Sequence, residues 1–154
     1  MKDLKQRLMI EQLDKKLQVY APLVSTSIPD KGWIHVIRKA YKMSLRQFGE
    51  RLGITPPSAE NIEKREKEGS ITLRSLEEAG RALDMKLVYG FVPMHGSIEK
   101  TIEDRARALA LEIVKATSHT MVLEDQEVTN ERLKKAVDNK AAELIYKMPR
   151  HLWD

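Results

Sequence analysis

The chain has 154 residues, 42% hydrophobic and 32% charged, which supports a folded core under a well-solvated surface, in one domain or two small ones. It contains no cysteine, so disulfides and thiolate metal sites are excluded; 27 basic against 23 acidic residues leave a formal net charge of +4, compatible with nucleic acid without requiring it. No apolar run approaches the roughly 20 residues of a membrane span, and the charges spread through MKDLKQRLMIEQLDKKL are not those of a signal peptide, so a cytoplasmic protein is expected.

Taken in chain order, residues 2–20 carry Leu4, Leu8, Met9, Leu13 and Leu17 at helical spacing. They predict a helical packing arm. Ala21 to Lys31, with Pro22, Pro29 and a Ser-Thr-Ser cluster, reads as a linker or extended wrap, so residues 1–31 form the first segment. Gly32 to Lys42 predicts a helix whose buried stripe is Trp33, Ile34, Ile37, Ala40 and Tyr41.

Ser44 to Glu66 is the most informative stretch: SLRQFGERLGITPPSAENIEKRE. Ser44 and Gln47 have the spacing of a capping box. Phe48, Gly49 and Leu52 give a short helix its packing face, and Gly53 is a left-handed stop. Thr55 is a good N-cap, and Pro56 suits the first helical position, where a missing N–H costs nothing. Ala59, Ile62 and the stem of Glu63 form the inner face of the second helix. Two short helices joined by a glycine turn are the pattern of a DNA-reading helix-turn-helix. A charged turn follows at Glu66 to Ser70. Thr72 then caps a further helix with Leu76, Ala79, Gly80 and Leu83 inside and Asp84 at its end. Residues 32–84 are thus expected to be a DNA-binding bundle of four to five helices.

Met85 to Val92, MKLVYGFV, changes period to two and predicts a strand in the segment 85–93. A lone strand leaves its ladder groups unpaired. It calls for a copy of itself across a two-fold axis, or for another segment of the chain. Within residues 94–154, Ser97 caps a long helix striped by Ile98, Ile102, Leu109 and Ile113, with Ala106, Ala110 and Ala116 beside it. Thr117 to Gln126 is a continuation or a short separate helix. Thr129 caps the last helix, bearing Leu133, Val137, Ala141, Leu144 and Met148; Pro149 stops it and RHLWD is the tail.

No catalytic constellation stands out. The histidines at 35, 95, 119 and 151 lack ligand spacing, and there is no phosphate-binding glycine loop, so no enzyme activity, metal or cofactor is expected. The first turns of the second helix carry Thr55, Pro57, Ser58, Asn61 and Lys64 as candidate base and phosphate contacts. Asn61 has the donor–acceptor pair that matches adenine, and Arg46 and Gln47 on the preceding helix are candidate phosphate anchors. An ordinary helical hairpin with a charged face is the competing reading, favoured by Glu60 and by the two prolines, which remove donors.

Gly32 to Asp84 resembles the Xre/Cro-type helix-turn-helix of phage repressors and antitoxins at Phe48-Gly49, Leu52-Gly53-Ile54-Thr55, Ser58 and Ile62-Glu63. The resemblance implies an ion pair between Arg38 and Glu63. Leu45 stands where that family usually has a phosphate-clamping Gln, and the prolines at 56 and 57 replace polar readers. Over the whole chain, LKQRLMIEQLDKKL, KGWI, MSLRQFGERLGITPPS, SITLRSLEEAGRALDMKLVYGFVP, TSHTMVLEDQ and the terminal LWD resemble the mobile mystery protein A family. That likeness implies an antitoxin-like, DNA-binding regulator beside a Fic-domain protein, mobile mystery protein B; the homodimer on a DNA operator is expected from the lone strand. Fic proteins are commonly restrained by a helix carrying Ser/Thr-x-x-x-Glu-Gly/Asn, whose Glu pairs with an active-site Arg. Thr120 and Glu124 match that spacing, with Asp125 in place of Gly/Asn, and positions i and i+4 share a helix face. The expected protein is therefore mainly α, with one short dimerising strand and a C-terminal helical extension that binds the Fic partner. The alternatives are a plain repressor whose C-terminal helices only dimerise or bind a ligand, and a scaffold without DNA affinity.

Overall fold

The computed structural model describes residues 2–123 and 129–154, and it divides into two units, Pro22–Gly90 and the pair Met1–Ala21 with Phe91–Asp154. Among the described residues all regular structure is helical.

In the Pro22–Gly90 unit, four helices follow a 3-10 turn: α2 (Trp33–Ala40), α3 (Leu45–Leu52), α4 (Pro56–Glu68) and α5 (Leu73–Ala82); α1 (Lys2–Gln18) belongs to the other unit. Each start has a local cause. The Ser44 hydroxyl accepts from Gln47 N at 3.1 Å and the Gln47 side chain accepts from Ser44 N at 2.8 Å, closing the capping box. Thr55 and Thr72 cap α4 and α5 through bonds from Ser58 N (3.3 Å) and Ser75 N (3.1 Å). Gly53 ends α3 at φ +71, a left-handed conformation that suits a residue without Cβ. Gly49 has a different duty: a Cβ there would meet the Ile54 carbonyl oxygen at 2.7 Å. Its hydrogen atom lets α3 lie directly on the turn that leads into α4.

Ile34, Phe48, Ala59, Ala79 and Leu83 form the core of this unit, with Ile37, Leu52, Ile54, Ile62 and Leu76 packed around it. The stripe expected on α2 is rotated. Trp33, Ala40 and Tyr41 are exposed, and the inward positions are Ile34, half-buried Ile37 and buried Arg38. A charged residue takes the inner face because its countercharge, Glu63, is buried opposite it. The charged turn expected at Glu66 to Ser70 is also shorter than the sequence suggests. α4 continues to Glu68 and ends in left-handed Gly69, because Glu66 is a structural residue of the helix. Its carboxylate accepts from Trp33 N (3.0 Å) and Ile34 N (2.8 Å), capping α2 from across the unit.

The expected strand does not form within the chain. Among the described residues, 85–92 have no ladder partner and no segment supplies one. Met85 N donates to Gly80 O at 2.8 Å and closes the end of α5, after which the backbone runs free of regular structure.

The other unit contains α1 (Lys2–Gln18), α6 (Ile98–Leu123) and α7 (Asn130–Lys147). Ile102, Ala106 and Ala110, at four-residue spacing, put one face of α6 against Val137, Ala141 and Leu144 of α7. α7 turns back along α6: Arg107 pairs with Asp138 at 2.9 Å, while Arg105 reaches the terminal turn, its guanidinium donating to the carbonyls of Leu152 and Asp154. The segment read as a tail is therefore part of the core. Arg150–Trp153 forms a 3-10 turn and Leu152 is fully buried, because Pro149 redirects the chain toward the α6–α7 seam. The N-terminal arm packs on α6 through Ile10, and Asp14 caps that helix, accepting from Ile98 N (2.7 Å) and Glu99 N (3.2 Å). Ser97 adds the expected cap at Lys100 N, 2.9 Å. Of the stretch Thr117 to Gln126, residues 117–123 continue α6, and 124–126 lie outside the described residues.

Candidate nucleic-acid interface

The outward face of α4 is set by what its inward face must bury. Ala59 and Glu63 are buried, and Ile62 and Glu66 half-buried, on the side facing α2 and α3. On a helix of 3.6 residues per turn, Pro57, Asn61 and Lys64 then fall together on the opposite side. All three are exposed, and Ser58 flanks them. Among the described residues the Asn61 side chain makes no hydrogen bond, so its amide is free to donate and accept at once. Thr55 and Ser58 are partly engaged with each other: the Thr55 hydroxyl donates to Ser58 Oγ at 2.9 Å, which leaves the Ser58 hydroxyl proton for an outside acceptor. Lys64 stands 4.0 Å from Glu68, an exposed i, i+4 pair that a phosphate would readily displace.

Arg46 and Gln47 lie on the first turn of α3, and both are exposed. The capping box uses the Gln47 carbonyl oxygen and leaves its amide N–H groups as donors. Arg46 pairs with Glu50 at 2.6 Å in solvent. A shallow depression beside them is lined by Tyr41, Lys42, Met43, Gln47, Glu50 and Arg51, so two cations and an amide share one concave surface with a single carboxylate, which Arg46 pairs. Of the formal charge of +4, the Pro22–Gly90 unit holds +3, from 12 basic and 9 acidic residues. The basic surplus thus falls on the unit that carries this face.

Behind the face, α2 and α4 are locked by a buried charge cluster. Arg38 Nε and Nη2 both donate to the Glu63 carboxylate, the second at 3.2 Å, while Arg38 Nη1 donates to Met43 O at 2.8 Å. His35 Nδ1 sits 2.9 Å from Glu63 Oε2. Burial pushes the Glu63 carboxyl up, but hydrogen bonds and charge from Arg38 and His35 outweigh it, and the group rests below its ordinary value of 4.5. The cluster fixes the rotation of α4 about its axis and so decides which residues face outward. His35 and Glu66 were absent from the sequence reading of this site. Their roles depend on partners 28 and 32 residues away, and no local signal marks either.

Not every candidate position falls on this surface. Glu124 lies outside the described residues, and Thr120 is described only as helix backbone, so the Thr120–Glu124 pair is not part of the geometry above. No described helix is long and apolar enough to cross a membrane. No protein-family model, curated protein or solved structure matches the chain.

Proposed function

We propose that the protein is a sequence-specific DNA-binding regulator of the antitoxin type, whose Pro22–Gly90 unit is an Xre/Cro-type helix-turn-helix. The observation that carries this reading is the outward face of α4, where Pro57, Asn61 and Lys64 stand opposite a locked inner face and are flanked by the hydroxyl of Ser58. A helix held in this way presents its first turns to the major groove, and Asn61 supplies the bidentate match to adenine. Arg46, Gln47 and the depression beside them then receive backbone phosphates, which position the helix without reading sequence. The chain acts as a dimer on paired half-sites, with residues 85–93 as the pairing segment.

The test is an anisotropy titration with the region upstream of the protein's own coding sequence, at several stated salt concentrations. Log affinity falls linearly with log salt, because phosphate contacts release counterions. Asn61→Ala and Ser58→Ala weaken the specific complex and leave binding to unrelated DNA nearly unchanged. Equal affinity for the operator in wild type and both variants would remove these residues from the reading face.

The resemblance to mobile mystery protein A extends the proposal to a Fic-domain partner, which the C-terminal helices bind and restrain through Thr120 and Glu124. A Glu–Arg pair in a water-poor cleft is strong and specific in geometry. Adenylylation by the Fic protein encoded beside this chain is therefore blocked by wild type and released by Glu124→Gly. Equal restraint by both variants points to a plain repressor, and co-purification with the neighbouring gene product separates the two.

A further inference from the structure

Arg65, on the C-terminal half of α4, holds its charge in a setting that the fold itself does not explain. The residue is half-buried, and its Nε is sealed from solvent with no hydrogen-bond partner among the described residues. Neither Nη atom has a protein partner, and both stay open to solvent. The carboxylates within one turn of it on α4 are all engaged elsewhere: Glu63 with Arg38, Glu66 with the start of α2, and Glu68 with Lys64. A cation partly removed from water and left without a countercharge is a cost to the free unit. Folded proteins seldom keep such a group unless it serves something beyond the fold.

The place of Arg65 on α4 says what it serves. Ser58, Asn61 and Arg65 run i, i+3, i+7, one line up the helix. Two turns separate Ser58 from Arg65, about 10 Å along the axis. The major groove is about 8.5 Å deep, so a helix that enters it by its first turns carries a residue two turns later up to the sugar-phosphate rim. We infer that Arg65 receives a backbone phosphate of the DNA at that rim, an inference that rests on the DNA-binding reading above. The free Nη groups lie in one plane and match the oxygens of a phosphate, which supplies the countercharge that α4 withholds. With Nε already desolvated, little further ordering is needed when the phosphate arrives. Arg65 is thus a positioning residue: it sets how far α4 enters the groove and contributes to every DNA sequence alike.

The test compares full-length wild type with Arg65→Met, which keeps an apolar stem and removes the charge. Arg65→Met weakens binding to the upstream region and to an unrelated duplex by a similar factor, roughly 10-fold at low salt. It makes the slope of log affinity against log salt shallower by about 0.9. Arg65→Lys keeps the slope and recovers part of the affinity. Methylphosphonate substitution, one phosphate at a time across the upstream site, finds a position whose neutralisation weakens wild type and costs Arg65→Met nothing further. Stability does not follow affinity: unfolding read from Trp33 fluorescence in a Trp153→Phe background shows Arg65→Met at least as stable as its parent, since no protein partner is lost. An unchanged salt slope in Arg65→Met overturns the proposal. So does a loss of stability like that of a broken buried pair, which would make Arg65 a strut of the fold. Failure of wild type to bind the upstream region sinks this inference together with the DNA reading, whereas wild-type binding with an unchanged slope in Arg65→Met sinks this inference alone.

Discussion

Removing the Glu63 carboxylate is the most direct challenge to the geometry of the α4 face. In Glu63→Ala, Arg38, a residue only 5% exposed, keeps Met43 O at 2.8 Å and a long contact to His35 Nδ1 at 3.5 Å, and loses its countercharge. His35 loses its 2.9 Å contact at the same time. Breaking a buried pair by deleting one member costs about 3–5 kcal/mol, because the surviving charge stays desolvated. For a unit of this size each kcal/mol lowers Tm by about 4–8 °C, so a fall of at least about 12 °C is expected. The two tryptophans separate the units, with Trp33 in one and Trp153 in the other. Urea and thermal unfolding followed by Trp33 fluorescence in a Trp153→Phe background therefore report on the Pro22–Gly90 unit. The paired replacement Arg38→Met with Glu63→Leu recovers most of the loss, since an apolar pair of similar volume carries no desolvation cost. A loss below about 1 kcal/mol in Glu63→Ala, the range of an exposed pair, would refute the view that this cluster locks α4. So would a double variant as unstable as the sum of the two single changes.

The same cluster sets an acid limb. Because the folded Glu63 carboxyl lies below its ordinary value of 4.5, its contribution is full above that pH and is lost as pH falls through the lower folded value; Glu63→Gln flattens this limb in the Trp33 signal. Gly49→Ala forces a Cβ to 2.7 Å from the Ile54 carbonyl oxygen, a backbone atom that cannot swing away, and costs about 1–3 kcal/mol by chemical denaturation. A neutral Gly49→Ala would mean that α3 does not rest on the turn. Asp14→Ala uncaps α6 and lowers the stability of the α1–α6–α7 unit by about 0.5–2 kcal/mol, read from Trp153 fluorescence in a Trp33→Phe background. Leu152→Ala empties a fully buried site in that unit and costs about 2–5 kcal/mol by the same readout; a free tail would show no change.

Much of the α3–α4 framework was legible from residues alone because its signals are local. Ser44 with Gln47, Gly53, Thr55 before Pro56, Thr72 and Thr129 each act within one turn of helix, so a short window contains both donor and acceptor. The inner residues of α4 and α7 were legible too, since a periodic apolar face needs only a partner surface, whichever it is. The Arg38–Glu63 pair was expected only through the family resemblance; spacing along the chain does not bring these residues together.

Tertiary structure decided what depends on distant partners. Glu66 caps α2 from 32 residues away, and Asp14 caps α6 from 84 residues away, yet each reads in sequence as one more surface acid. Trp33 looked like core and is exposed, because a buried carboxylate opposite Arg38 reassigned the inner face of α2. Leu152 looked like tail and is core, because the seam between α6 and α7 has room for it. The alternation in 85–92 is a property of the residues, but whether it becomes a strand depends on a partner backbone, and no segment among the described residues provides one. Local hydrogen bonds are determined by neighbours along the chain. Burial, charge pairing and sheet formation are determined by neighbours in space, which only the folded chain, or a second copy of it, supplies.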